Sequence, residues 1–166
     1  MRPRTGLPQV EDRAREARIV STVTASVLTI LHPRTSFSVN LQEMQDDGCL
    51  ESACVNASCL ALLDASVSLK FLIASVTVIV MKDTGEIVTD PTLKQIKSGS
   101  SAQVTFVFSN RQESEEEPSI VSAYTEGRLK PAKLQECLSA AHLASQKIFQ
   151  FYRSSIARKF SKDISS

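Results

Sequence analysis

The sequence predicts an α/β (α+β) fold, in which helices pack on a sheet whose strands run in mixed directions. Two observations lead to this prediction. Apolar residues recur at helical spacing near both ends of the chain and again in its first half. The stretches between them either alternate in polarity or are rich in valine and isoleucine, as strands are. The predicted order is helix, strand, helix, several strands and a closing helix.

The composition is that of an ordinary globular domain. Of the 166 residues, 42% are hydrophobic and 22% are charged, and the formal net charge of +1 favours neither a nucleic acid nor a membrane as partner. The longest apolar stretch, Phe71 to Met81, is shorter than the ~20 residues that a membrane-spanning helix needs. We therefore expect one domain over residues 1–166 and no insertion into a membrane.

The first half of the chain contains two predicted helices with a strand between them. The first helix runs from about Val10 to Leu31 and ends ahead of Pro33, because the residue before a proline disfavours helical geometry. Ser36 to Gln42 alternates strictly between polar and apolar residues, which predicts a half-buried strand. After the turn Asp46-Asp47-Gly48, helical spacing resumes from Leu50 to about Asp64.

The second half of the chain is predicted to be mostly strands before the closing helix. Phe71 to Met81 is a strand, and Asp83-Thr84-Gly85 is a hairpin turn that leads into a return strand at Ile87-Val88. The remaining predicted elements are strands at Val104–Phe108 and Ile120–Tyr124, an exposed acidic loop at Glu113–Pro118, and a helix from about Pro131 to Ser161.

The four cysteines do not form a zinc-binding pattern. Cys49, Cys54, Cys59 and Cys137 contain no Cys-x-x-Cys pair, and no matching pair of histidines accompanies them. We therefore predict free thiols that are mostly buried, and no metal site.

Two groups of motifs carry a resemblance to a known family. Leu31–Ser36, Asp47-Gly48 and Val55–Ala65 are similar to the strand, loop and helix at the centre of ribonuclease PH domains, where an Asp-Gly turn precedes a helix of small residues ending in Ala-Leu-x-Asp-Ala. Gln135–Leu138 and Ala144–Arg153 resemble the terminal helix of exosome ring subunits of the component-five type. Two further stretches resemble the same subunits: Arg2–Pro8 and Asp90–Gln95.

The resemblance implies a ribonuclease PH-like domain (ribosomal protein S5 domain 2-like) that lacks its first strands. Residues 1–166 are then a single domain, shortened and incomplete at the N-terminal end. The implied function is that of a non-catalytic structural subunit of the RNA exosome core ring, which supports rRNA processing, mRNA turnover and 3′-to-5′ RNA degradation. The implied partners are RNA and other ring subunits of the ribonuclease PH type, and the implied location is the nucleus and nucleolus, and also the cytoplasm.

The phosphate loop of the family is degenerate in this sequence. Ribonuclease PH enzymes bind inorganic phosphate with a Gly-Thr-Arg loop at a helix N-terminus. The matching residues are Asp47, Gly48, Cys49, Leu50 and Glu51, so that leucine replaces the hydroxyl donor and an acid replaces the arginine. Two like charges ~4 Å apart repel by roughly 4 kcal/mol at an effective dielectric constant of ~20. We therefore expect weakened phosphate binding.

The catalytic carboxylates of the family are also missing. Where the family has a Glu-Asp pair and a later Asp, this sequence has Lys94-Gln95-Ile96 and then Ser100–Gln103, and Asp90 alone remains of the pattern. No residue is left to act as general acid or to bind a metal. The sequence therefore predicts no catalytic residue, no cofactor and no phosphorolytic activity.

Basic residues near the N-terminus offer a weaker signal for RNA contact. Arg2, Arg4, Arg13 and Arg15 could contact RNA phosphates, but acidic residues are interleaved with them, which favours a solvated helix face.

Two alternative interpretations remain open. The chain could be an independent nucleic-acid-binding protein or weak nuclease that acts as a homodimer, with Asp46, Asp47 and Glu51 holding a divalent metal. Alternatively, the absence of the family's first strands leaves a sheet edge exposed, and the chain folds only against a partner.

Overall fold

A computed structural model describes residues 10–111 and 119–164 of the chain. The helices are α1 (Val10–Ser26), α2 (Leu50–Asp64), α3 (Leu93–Gly99) and α4 (Pro131–Ile164). The strands are β1 (Ile73–Met81), β2 (Ile87–Thr89), β3 (Ser100–Ser109) and β4 (Ile120–Gly127). The predicted acidic loop Glu113–Pro118 lies outside the described residues.

The strands form one sheet in the order β2-β1-β3-β4. Every neighbouring pair in it is antiparallel, so the mixed strand directions expected from the sequence are not found in the described ranges. The long central pair β1–β3 is in register from Ile73 opposite Ser109 to Met81 opposite Ser100, with an irregularity after Val80. Helices cover this sheet, and the predicted α/β (α+β) class is confirmed.

Strand β1 is buried on both of its faces, which explains its nearly continuous apolar sequence. Alternate side chains such as Val76 and Val78 pack with Cys137 of α4. On the opposite face, Ile73 packs with Cys59 of α2 and helps to form a second cluster. Helix α4 also reaches this second cluster, through residues further along its length. The sheet is therefore the middle layer of the molecule.

The first helix ends earlier than the sequence predicts. Helix α1 stops at Ser26 rather than continuing to Leu31, and only a short 3-10 turn covers Thr29–Leu31. The reason is a tertiary contact: the Ser26 carbonyl accepts a hydrogen bond of 2.7 Å from the Lys70 N–H, and the Leu28 N–H donates to Ser68 over 3.0 Å. These bonds connect the backbone to the segment before β1 and take it out of helical geometry.

The predicted strand Ser36–Gln42 is wrong as a strand. The segment makes no strand pairing within residues 10–111 and 119–164. Its apolar side chains are substantially exposed, with Phe37 at 45%, Val39 at 38% and Leu41 at 42%. Alternation in sequence provides a face for burial, but a strand also needs a neighbour that accepts and donates its backbone hydrogen bonds.

Helix α3 is the element that the sequence reading missed. It occupies Leu93–Gly99, a stretch for which no secondary structure was predicted from the sequence. Thr92 caps its first turn, and the Gln95 side chain in turn accepts from the Thr92 N–H at 2.8 Å. This Thr-x-x-Gln pattern is a capping box that was available as a signal in the sequence.

The other predicted elements agree with the structure to within a few residues. Helix α2 begins and ends at the predicted residues, and α4 begins at Pro131 as predicted but continues to Ile164. Although α4 is long, no helix in the described part of the chain is apolar enough over a sufficient length to cross a membrane.

Candidate functional site at the start of helix α2

The loop that the family resemblance predicts to be a degenerate phosphate loop, Asp47–Glu51, lies on a cleft of about 190 Å³. The first turn of α2 forms one side of the cleft, and α1 and α3 contribute further walls. Two cross-strand pairs, Gln103 opposite Glu126 and Thr105 opposite Tyr124, line it from β3 and β4. The remaining lining residues of the cleft are Arg15, Arg18, Asp46, Gly48, Leu50, Glu51, Leu93 and Ile96.

The loop is packed closely against the start of α3. Gly48 has a φ of 114°, and a Cβ atom on it would lie 2.7 Å from Ile96 Cδ1 and 2.9 Å from the Leu93 nitrogen. The Gly48 N–H donates to Asp46 Oδ1 over 2.8 Å, and the Leu93 N–H donates to Asp47 Oδ1 over 3.3 Å. The two aspartates therefore hold the backbone of the turn.

Cys49 and Leu50 supply no group that could replace the hydroxyl donor of the family's loop. The Cys49 thiol donates to the Pro91 carbonyl over 3.3 Å, and burial raises the pKa of Cys49 to about 11. It is thus a protonated thiol at neutral pH rather than a nucleophile. Leu50 presents an apolar side chain to the cleft.

Glu51 forms a bidentate ion pair with Arg18 of α1. Arg18 Nε donates to Glu51 Oε1 over 2.9 Å, and Arg18 Nη2 donates to Glu51 Oε2 over 2.8 Å. The two side chains are 29% and 17% exposed. The hydrogen bond to Glu51 raises the pKa of Arg18, against the effect of burial. The repulsion expected from an isolated Glu51 is therefore overstated, because a second helix supplies a compensating cation.

Tyr124 supports the same guanidinium from β4. The Arg18 guanidinium carbon lies 3.9 Å from the centre of the Tyr124 ring, a cation–π contact. Glu126 follows two residues later on the same strand face, and its hydrogen bond raises the pKa of Tyr124. Arg18 is thus held by a carboxylate on one element and an aromatic ring on another.

A buried chain of hydroxyl groups lies beneath the cleft. Ser52 and Thr77 Oγ atoms are 2.6 Å apart, Thr77 and Thr105 Oγ1 atoms are 3.1 Å apart, and Ser75 donates to Ser52 over 3.1 Å. These bonds connect the first turn of α2 to β1 and β3. They position the loop, and they contain no group that titrates near neutral pH.

The acidic trio does not form a metal centre. Asp46 and Asp47 accept backbone N–H groups, and both oxygens of Glu51 are engaged by Arg18. Within the residues that the structure describes, no group of three or more His, Cys, Asp or Glu residues is placed to hold a metal ion. Asp90, the surviving family carboxylate, does not line the cleft, and burial raises its pKa.

The arginines named from the sequence have different outcomes. Arg2 and Arg4 lie outside the described residues. Arg13 is exposed on α1, whereas Arg15 lines the cleft one turn before Arg18. No sequence pattern separates Arg18 from its basic neighbours, because its role depends on a partner 33 positions away.

Sequence comparison places the chain beside proteins of known family. Residues 1–68 match the ribonuclease PH family, described as the 3′ exoribonuclease family, domain 1. Over 145 residues, the chain is 31% identical to the exosome complex component RRP46 homolog of Caenorhabditis elegans. This match covers 87% of the chain but 65% of that relative, so the chain spans just under two thirds of the relative's length.

Solved structures show the same relationship at the level of the fold. Rice Rrp46 superposes with a TM-score of 0.82 at 26% identity, covering 92% of this chain and 69% of the rice chain. The C. elegans cell-death-related nuclease 5 superposes with a TM-score of 0.71 at 27% identity, covering 86% of this chain and 72% of that one. The similarity thus extends over most of this chain in both sequence and structure.

Proposed function

We propose that this chain, which is similar in sequence and fold to members of the ribonuclease PH family, is a non-catalytic structural subunit of an RNA exosome core ring. In this role it supports 3′-to-5′ RNA processing and degradation, including rRNA processing and mRNA turnover, without cleaving RNA itself. Its partners are other ring subunits of the ribonuclease PH type and RNA. Its sites of action are the nucleus, the nucleolus and the cytoplasm.

The fold and the names of relatives support a place in the ring. The superposition on rice Rrp46 confirms the predicted ribonuclease PH-like fold. The C. elegans relative is named as a component of the exosome complex. Assembly of this chain with other ring subunits is inferred from these similarities.

The observation that carries the loss of catalysis is the Arg18–Glu51 pair. Phosphorolysis requires inorganic phosphate to bind at the start of α2. There the Glu51 carboxylate instead forms two hydrogen bonds with the Arg18 guanidinium. On the sheet side of the cleft, β3 offers Gln103 and Thr105, which are neutral and cannot serve as a general acid, and the Glu126 carboxylate on β4 is engaged by Tyr124. Phosphate binding and acid catalysis are therefore both impaired, for independent reasons.

A nuclease assay tests the loss of catalysis. The purified full chain, incubated with single-stranded RNA and inorganic phosphate, should release no nucleoside diphosphates. Arg15→Gln combined with Arg18→Gln serves as the control for contamination, since it removes both arginines that line the cleft. Phosphate-dependent release that the unaltered chain shows and this double variant lacks would overturn the proposal.

Copurification tests the structural role. A tagged full chain expressed in cells should be recovered with other ribonuclease PH-type ring subunits, identified by mass spectrometry. Recovery of the chain alone, under conditions that keep exosome rings intact, would contradict membership of the ring.

A second candidate function is that of an independent, weakly active nuclease homodimer. The observation in favour of this function is that one similar structure is that of a protein named as a nuclease, the C. elegans cell-death-related nuclease 5. Under this function, Asp46→Asn combined with Asp47→Asn should abolish metal-dependent RNA cleavage. The structure favours the ring subunit instead, because both aspartates hold the backbone of the loop.

A further inference from the structure

We propose that the Glu51 carboxylate is an internal ligand, which occupies an oxyanion-binding site centred on the Arg18 guanidinium. The site is of the class that accepts inorganic phosphate, and its arginine comes from α1 rather than from the loop at the start of α2. This inference rests on the proposed function, since it explains how the cleft excludes phosphate while an arginine still faces it.

The geometry of the pair is that of a guanidinium holding an oxyanion. Arg18 donates through Nε and Nη2 to the two separate oxygens of Glu51, at 2.9 and 2.8 Å. Carboxylate and phosphate present similar pairs of oxygens to this fork of donors, so one arginine geometry serves both. The ligand class therefore follows from the contact that the side chain already makes.

The guanidinium has a support that does not depend on Glu51. It lies 3.9 Å from the centre of the Tyr124 ring, and Tyr124 is held in β4 opposite Thr105 of β3. Removing the Glu51 carboxylate leaves this support in place. Arg18 then keeps an orientation that is set by the sheet.

A second cation lines the same cleft. Arg15 lies three residues before Arg18 on α1, a spacing that puts two side chains on one face of a helix. The other acids that line the cleft are Asp46, whose Oδ1 accepts the Gly48 N–H, and Glu126. When Glu51 is replaced by an uncharged residue, the charged groups of the cleft are Arg15, Arg18, Asp46 and Glu126. The Nε and Nη2 donors of Arg18 are then available to a ligand from solution.

Phosphate binding by Glu51 variants tests the proposal. Glu51→Gln keeps the size of the side chain and removes its charge, and Glu51→Ala removes the ligand altogether. Each full-length variant is titrated calorimetrically with sodium phosphate, and with sodium chloride of equal ionic strength as the reference. We expect each variant to bind phosphate at least ~10-fold more tightly than the unaltered chain, a difference of ~1.4 kcal/mol.

Two further variants separate an internal ligand from general repulsion. Glu126→Gln removes another acid of the cleft but leaves the Arg18–Glu51 pair in place, so it should show little gain. Combining Glu51→Gln with Arg18→Gln should lose the gain. The proposal would be overturned if Glu51→Gln and Glu126→Gln raised the affinity for phosphate equally, or if the gain persisted without Arg18. It would also be overturned if the Glu51 variants bound phosphate no more tightly than the unaltered chain.

The folding state of each variant is checked by circular dichroism before titration. Should Glu51→Ala unfold, Glu51→Gln carries the test, because glutamine keeps the size of the side chain and its packing at the start of α2. The outcome is distinct from that of the proposed function. If the chain assembles into rings but its Glu51 variants bind no phosphate, the internal-ligand proposal is refuted and the proposed ring function is not.

Discussion

Asn56 shows how a single side chain connects three elements of this fold. Its Nδ2 donates to the Ser75 carbonyl over 2.9 Å, and its Oδ1 accepts the Ser75 N–H over 2.7 Å. The Tyr152 hydroxyl of α4 donates to the same Oδ1 over 3.1 Å. The amide of Asn56 therefore satisfies both backbone groups of a buried strand residue, and the hydroxyl of a tyrosine that is only 1% exposed.

Replacing Asn56 should be costly for stability. Asn56→Ala leaves the Ser75 backbone groups without their side-chain partner, and leaves the Tyr152 hydroxyl only its longer contact of 3.5 Å with the Asn56 carbonyl. Each unsatisfied buried group costs about 1–3 kcal/mol. We expect the free energy of unfolding to fall by about 3 kcal/mol, measured by urea denaturation.

The matched control is the exposed Asn40. Asn40→Ala should change the free energy of unfolding by less than about 0.5 kcal/mol. Equal effects of the two substitutions would mean that the Asn56 contacts contribute no more than a solvated side chain does.

At the scale of elements, the packing of α3 against the loop before α2 depends on one glycine. Gly48 combines a φ of 114° with the close approach of Ile96 and the Leu93 backbone. Backbone of this kind disfavours every residue with a Cβ atom. Gly99, at the other end of α3, has no atom within 4 Å of an added Cβ.

These two glycines should respond differently to the same substitution. Gly48→Ala should lower the free energy of unfolding by about 1–3 kcal/mol, because the loop must shift away from α3 to relieve contact with backbone atoms. Gly99→Ala should be neutral or slightly stabilising, since alanine is favoured in helices. Urea denaturation of both variants measures the difference, and a Gly99→Ala effect as large as that of Gly48→Ala would contradict it.

At the scale of the whole molecule, Phe37, Val39 and Leu41 form a side of the chain that is not covered by the described residues. In extended geometry their alternation would place them on one face, and the segment Ser36–Gln42 carries no charge. An uncharged, unpaired extended segment is a template for pairing with another chain. Two copies can pair antiparallel through it, with Phe37 opposite Leu41 and the Val39 residues opposite each other.

Concentration-dependent association should follow from this exposed segment. Val39→Lys places a charge at the centre of the pairing, where it opposes the same charge on the second copy. We expect the concentration for half-maximal association to rise by at least ~10-fold, or ~1.4 kcal/mol, in sedimentation equilibrium.

Val20→Lys is the control on a helix. Val20 is 57% exposed on α1, and its replacement removes a comparable apolar side chain without affecting any strand pairing. If it weakens association as much as Val39→Lys does, the contact between copies is not made through the extended segment.

Local signals in the sequence were sufficient for the elements whose partners are close in the chain. The helix from Leu50 to Asp64 was predicted at both ends, and the turn Asp83-Thr84-Gly85 correctly predicted that β2 returns along β1. Apolar spacing and turn chemistry determine such elements over a few residues. The family resemblance was also confirmed, because its motifs are short stretches of sequence that can be recognised without knowing which elements pack together.

Only the tertiary structure decided which distant groups meet. The end of α1 depends on hydrogen bonds to Ser68 and Lys70, which no pattern within the helix records. In the same way, Ser36–Gln42 has the pattern of a strand but not the neighbour that a strand requires. The family resemblance in the sequence predicts that Glu51 stands where a phosphate loop has its arginine. The fold decided that Arg18 neutralises this acid, because side-chain charge is local information whereas the partner of a charge is set by packing.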